Sequence, residues 1–136
     1  MKSFVLLWGL VLNGLASQYG PGVMEEVIFN RQNGHAWVGL PDPLPLADGY
    51  IAARDCDQLG RIWSLKRHGI NESWGRFLVV DCAGPQLRHD GLTGGEWMEA
   101  NNVMVEISHE QALRWGCVGR GIAIDRLVTE EDLGYE

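Results

Sequence analysis

The stretch Gly75-Arg-Phe-Leu-Val-Val-Asp81 reads as a short apolar strand that delivers one carboxylate at its end. It has an echo in Asn102-Val-Met-Val-Glu-Ile-Ser-His-Glu-Gln-Ala-Leu-Arg-Trp-Gly116, where Glu106 interrupts the apolar strand Val103–Ile107. A charge that ends or interrupts an apolar run is costly to bury without a partner. Asp81 and Glu106 are therefore expected to face a shared groove.

Outward from these strands the chain is punctuated by turns. Cys82-Ala-Gly-Pro85 ends the first strand and exposes Asp81. Gln86–Asn101, loosened by Gly91, Gly94 and Gly95, reads as an irregular loop long enough to act as a flap. After Val103–Ile107, Ser108 caps a short helix, Gln111 completes a capping box and Gly116 supplies the stop. Upstream, Tyr50–Ala53 and the alternating Arg61–Leu65 read as strands joined by a turn at Leu59-Gly60, and Gly121–Val128 reads as the last strand. Val27-Ile28-Phe29 is expected to form a strand that turns at Asn33-Gly34 into His35–Gly39, an N-terminal hairpin. Leu40–Leu46, with prolines at three of seven positions, is a surface connector, and Gly69–Trp74 is a loop with an Asn71-Glu72-Ser73 glycosylation acceptor.

Composition agrees with a chain of short strands. The 136 residues suffice for one domain with a core, and 18 Gly, 6 Trp and 5 Pro favour a mostly β fold over a helical bundle. A net charge of −7 with no dense basic cluster excludes nucleic acid and anionic membrane as partners. At the N-terminus, Lys2, the apolar run Phe4–Leu12 and Gly14-Leu15-Ala16 form the pattern of a secretory signal cleaved after Ala16; a buried N-terminal strand or helix is the alternative. On the first reading the product is secreted, periplasmic or cell-wall associated, with no membrane contact after cleavage. The divisions are then a leader over 1–16, an extension over 17–48, a β domain over 49–128 and an acidic tail over 129–136. Of Cys56, Cys82 and Cys117, the first two are expected to pair, since each adjoins an Asp near the groove. No Cys-x-x-Cys or paired His spacing is present, so neither a metal nor a cofactor is implied.

The motif order Tyr50-Ile-Ala-Ala-Arg-Asp55, Leu59-Gly-Arg-Ile-Trp63, Phe77-Leu-Val-Val-Asp81, Val103-Met-Val-Glu106-Ile-Ser108 and Ala112-Leu-Arg-Trp-Gly116, closed by Ile122–Val128, resembles the double-psi β-barrel domains. It is most similar to the three-aspartate domain of cell-wall lytic enzymes, including membrane-bound lytic transglycosylase A, and to rare lipoprotein A and expansin-like barrels. The resemblance spans roughly Gly49–Val128 and implies a six-stranded double-psi barrel with one or two short helices, here extended by the N-terminal hairpin. It implies three acids in a groove, which fall on Asp55, Asp81 and Glu106, the last as the catalytic acid. It also implies a peptidoglycan-like polysaccharide as partner and a chain acting as a monomer. Two departures stand out: the third acid is Glu106 where the family has Asp, and the family's Asp-Thr-Gly-Gly turn is Asp81-Cys-Ala-Gly84.

Cleaving a glycosidic bond requires a carboxylic acid that stays protonated near neutral pH, and an apolar wall or a neighbouring carboxylate raises the pKa to that end. Glu106 between Val105 and Ile107, beside Asp81, meets both conditions if the strands adjoin. A lytic transglycosylase needs one such group, whereas a hydrolase needs a second carboxylate. Trp74 and Trp97, in loops, are candidate platforms for a sugar ring, while Trp63 and Trp115 belong to the core by period. His89 and Asp90 form a loop pair that resembles the His-x-Asp element of expansin-like barrels. The alternatives are a barrel that binds a glycan or a protein without cleaving it, and an uncleaved or viral accessory protein whose acids are structural.

Overall fold

The computed structural model describes residues 9–129 and 132. Six strands, β1 (Gly9–Gln18), β2 (Gly49–Ala53), β3 (Ile62–Arg67), β4 (Gly75–Cys82), β5 (Val103–Ile107) and β6 (Ile122–Thr129), close on one another in the order β1-β5-β2-β4-β3-β6. The pairs β1/β5 and β2/β4 are parallel and the other four antiparallel. Replacing β1, β2, β3 by β4, β5, β6 and the reverse leaves this pairing scheme unchanged. The ring is thus two equivalent three-strand halves, interlocked because every one of the six pairs joins a strand of one half to a strand of the other, with no sequence repeat between them.

The Phe77–Val80 run is apolar throughout because both faces of β4 are covered. Phe77 and Val79 point into the ring with Ile51, Trp63, Leu65, Val105, Ile107 and Ile124, while Leu78 and Val80 point outward under Met24 and Leu40. A strand buried on both sides has no need of polar alternation. All four residues are at most 3% exposed.

The outer cover is a helix, α1 (Val23–Gln32), where a hairpin strand was expected. Met24 and Ile28, four residues apart, share the face that packs on the sheet. Glu25 and Glu26 in the first turn and Arg31 in the last suit the helix dipole. Asn33 and Gly34, the latter at φ 76°, end this helix instead of reversing a hairpin. The same left-handed conformation serves either purpose, which is why the dipeptide misleads. His35–Gly39 is correspondingly irregular.

The ring begins at Gly9 and not at Gly49. Of the expected leader, residues 1–8 lie outside the described residues, while Gly9–Ala16 pair along their whole length with Ile122–Thr129. Cleavage after Ala16 would remove eight of the ten residues of β1 and open the ring. The small side chains of the expected cleavage site also have a packing reason: a Cβ on Gly14 would stand 2.9 Å from the Met104 side chain. At the other end, Glu130, Glu131 and 133–136 of the expected acidic tail lie outside the described residues, and Asp132 accepts hydrogen bonds from Thr129.

Two further helices are α2 (Gly94–Ala100) and α3 (His109–Trp115). Thr93 and Glu96 form a reciprocal capping box on α2, so the expected flap holds a helix whose Thr-x-x-Glu signal is present in the sequence. On α3 the Ser108 hydroxyl accepts from the Gln111 amide at 3.1 Å, and Gly116, at φ 67°, provides the stop. The Gln111 side chain bonds to Arg114 and does not complete a box.

Candidate functional site

Glu106 alternates with the core residues Val105 and Ile107, so its side chain leaves the ring on the outer face. Register then fixes its neighbours: Ser17 on β1 and Ala52 on β2 flank Glu106, and Ala52 in turn lies opposite Asp81 on β4. A register shift makes this row possible. Ile51 pairs with Val79 and Ala52 with Asp81, so Val80 is an extra residue, and the bulge turns Asp81 to the face that Glu106 shares. With one strand between them, their Cα atoms stand roughly 10 Å apart, and the side chains converge over Ala52, which is 2% exposed.

The segment after β1 and helix α1 roof this row. Tyr19 donates its hydroxyl to Asp81 Oδ2 at 2.6 Å, and Arg31 Nη2 donates to Asp81 Oδ1 at 2.6 Å. Arg31 Nη1 also bonds the Val38 carbonyl, tying the irregular loop after α1 to the same group. Both side chains of the Arg31–Asp81 pair are largely shielded from solvent, at 12% and 15% exposure. Burial, reinforced by the hydrogen bond to Asp81 and its charge, pushes the Tyr19 phenol up, so it remains a donor. Glu106 accepts from Ser17 Oγ through Oε2 at 3.1 Å, and among the described residues Oε1 has no partner. Its pKa is raised chiefly by burial; the Ser17 hydroxyl pulls it down, the charge of Asp81 adds a smaller upward push, and Arg88 opposes least. The row therefore holds two unlike carboxyls: Asp81 with both oxygens engaged by hydrogen-bond donors, and Glu106 keeping its proton to higher pH with one oxygen free.

The remaining candidates distribute around this pair. Trp97 on α2 stacks under Arg88, whose guanidinium carbon stands 4.9 Å from the ring centroid. Asp90 pairs with Arg88 and accepts from the Leu92 amide, a turn-forming role that holds its pKa low, and His89 beside it is exposed. Trp74 lies under Lys66 on the β3 side, across the ring from β5, and not with the acids. Asp55 is exposed and bonds to Arg54, which also pairs with Glu99.

Cys56 and Cys82 are joined in a disulfide, and each follows one of the acids, Asp55 and Asp81. The bridge divides the row from a wide cleft of about 670 Å³ lined by Arg54, Asp55, Gly84, Thr93, Glu96 and Glu99, which neither Asp81 nor Glu106 lines. Cys117 is buried, and burial pushes its thiol up. Sequence reasoning missed Ser17, Tyr19 and Arg31, which have no local signature. Their partners lie 89, 62 and 50 residues away. Arg88, inside the flap, was also missed.

Comparison with protein-family models, with curated proteins and with solved structures gives no match.

Proposed function

We propose that this chain is a double-psi β-barrel that cleaves a glycosidic bond in a cell-wall polysaccharide such as peptidoglycan, with Glu106 as the general acid/base. The fold reading is supported by the pairing scheme, whose two interlocked three-strand halves exchange without changing a single pair. The catalytic reading rests on one observation, the half-buried Glu106 with a raised pKa and a free oxygen, two strands from an ion-paired Asp81. Protonation of a leaving oxygen needs such a group, which contributes ~10²–10⁴-fold in rate.

Occupancy of the second carboxyl favours one outcome over another. Tyr19 and Arg31 take both Asp81 oxygens, so Asp81 acts as a positioning charge that keeps the proton on Glu106. A single mobile proton suits attack by the sugar's own hydroxyl, as in a lytic transglycosylase, better than hydrolysis, which needs a second working carboxylate. The Cys56–Cys82 disulfide favours an oxidising compartment outside the cytoplasm, with Gly9–Ala16 retained as β1. Trp97, stacked with Arg88, supplies an aromatic face for a sugar ring.

A second reading, a binder without catalysis, is favoured by the 670 Å³ cleft on the far side of the disulfide. Incubation of purified peptidoglycan with the full chain, its disulfide intact, separates the two. Release of soluble fragments with anhydro-sugar ends, reduced at least ~100-fold by Glu106→Gln, is the expected result. Reducing ends would move the assignment to hydrolysis. Sedimentation with the polymer and no release, from wild type and Glu106→Gln alike, would establish the binder.

A further inference from the structure

Arg126 occupies an inward position on β6, two residues after Ile124 of the ring core, where an aliphatic side chain would complete the packing. Its guanidinium lies on Trp63, with the carbon 3.5 Å from the ring centroid. Stacking uses the flat face of the group and leaves its N–H edges to lateral acceptors. Nε is enclosed and has no acceptor, and among the described residues no ion pair or hydrogen bond reaches the terminal nitrogens. Burial pulls its pKa down, with Asp132 opposing and Arg61 adding to the pull, as suits a cation held out of water without a counter-charge in contact.

A cavity of about 270 Å³ opens beside this guanidinium, at the mouth of the ring, with Val103 and Met104 as its apolar wall. Its other polar groups are already satisfied. Gln58 Oε1 accepts from Trp63 Nε1 at 3.0 Å, and Asp55 and Glu99 at the rim pair with Arg54 at 3.1 and 2.6 Å. The unmet hydrogen-bonding capacity is that of Arg126 alone.

We infer that this mouth is a binding site for a small organic monoanion, a carboxylate on an apolar body. The carboxylate meets the free edge of Arg126 and the body lies on Val103 and Met104. Two carboxylates at the rim disfavour a ligand with a second negative charge, and the volume suits a benzoate-sized molecule. The site lies inside the ring mouth, while Glu106 leaves the ring on its outer face, so it stands independently of the glycosidase reading.

The test is a titration of the ¹⁵N-labelled full chain with sodium benzoate at constant ionic strength, following the Arg126 Nε–H and Trp63 Nε1–H signals, with sodium chloride and inorganic phosphate in parallel. Saturable shifts of both signals with benzoate, absent with chloride and weaker with phosphate, are expected. Arg126→Met weakens binding roughly tenfold or more, and Glu99→Gln, at an exposed rim position, tightens it a few-fold. Shifts that rise without saturating, that chloride reproduces, or that persist unweakened in Arg126→Met would overturn the site. Tighter binding of phosphate would overturn the ligand class. If Arg126→Met fails to fold, Glu99→Gln decides: unchanged affinity overturns the proposal.

Discussion

Two clusters of acids lie on either side of the Cys56–Cys82 bridge, and they differ in everything except residue type. In the Glu106–Asp81 row each carboxyl meets a partner far away in sequence, under a roof made by Tyr19 and α1. At the cleft, Asp55 and Glu99 meet Arg54 in the open, with 58% and 74% of their side chains exposed. Exposed pairs gain little because water and salt screen them, whereas a shielded pair cannot lose one member without stranding the other. Desolvation therefore makes one cluster a candidate for chemistry and leaves the other as a solvated rim.

That contrast can be broken most forcefully at Arg31. Its replacement by Ala leaves Asp81 shielded and unpaired, and urea unfolding at pH 7 should record a loss of about 3–4 kcal/mol; a loss below ~1 kcal/mol would make the row as solvent-screened as the cleft. Replacing Cys56 and Cys82 together by Ser removes the tie between the clusters. For a bridge spanning 26 residues, the chain-entropy relation gives a cost of about 3.5 kcal/mol, read from the same curves under oxidising conditions. Tyr19→Phe removes one charge-assisted hydrogen bond and should cost about 1.5 kcal/mol.

The pH dependence of Glu106 sharpens the comparison further. Its folded pKa lies above the unfolded one, so the stability it contributes is complete below the unfolded glutamate value and is lost as pH rises through the folded pKa. Glu106→Gln should therefore raise stability relative to wild type at pH 8, with the gain fading as the titration is taken to pH 4. A gain that persists at pH 4 would assign the effect to packing. Asp55→Asn, at the exposed end of the series, should change the unfolding free energy by no more than about 0.5 kcal/mol.

Strands β2 to β6 and helix α3 were legible because their signals are local. They include an apolar run at Phe77–Val80, alternation at Arg61–Leu65, a Ser108 cap and a Gly116 stop. β1 was obscured because an apolar run behind Lys2 with small residues at Gly14 and Ala16 fits an export leader as well as a strand that must pass close to Met104. Val27-Ile28-Phe29 favours a strand by propensity, and only the burial of Met24 and Ile28 on Leu78 and Val80 makes it helical. Asp81 and Glu106 could be named from the cost of a charge in an apolar run. The bulge at Val80, which turns Asp81 toward Glu106, is a property of strand pairing and leaves no trace in the sequence.

The position of β1 also bears on how the molecule comes into being. A ribosome delivers Gly9–Gln18 well before the partners of that strand, Val103–Ile107 and Ile122–Thr129. At usual elongation rates the first strand waits roughly 5–20 s for them, with Leu10, Val11, Leu12 and Leu15 unpaired and open to any other nascent edge. The ring can close only after translation of its last strand, so slowing elongation between residues 20 and 100 should raise aggregation without changing a single contact of the finished molecule.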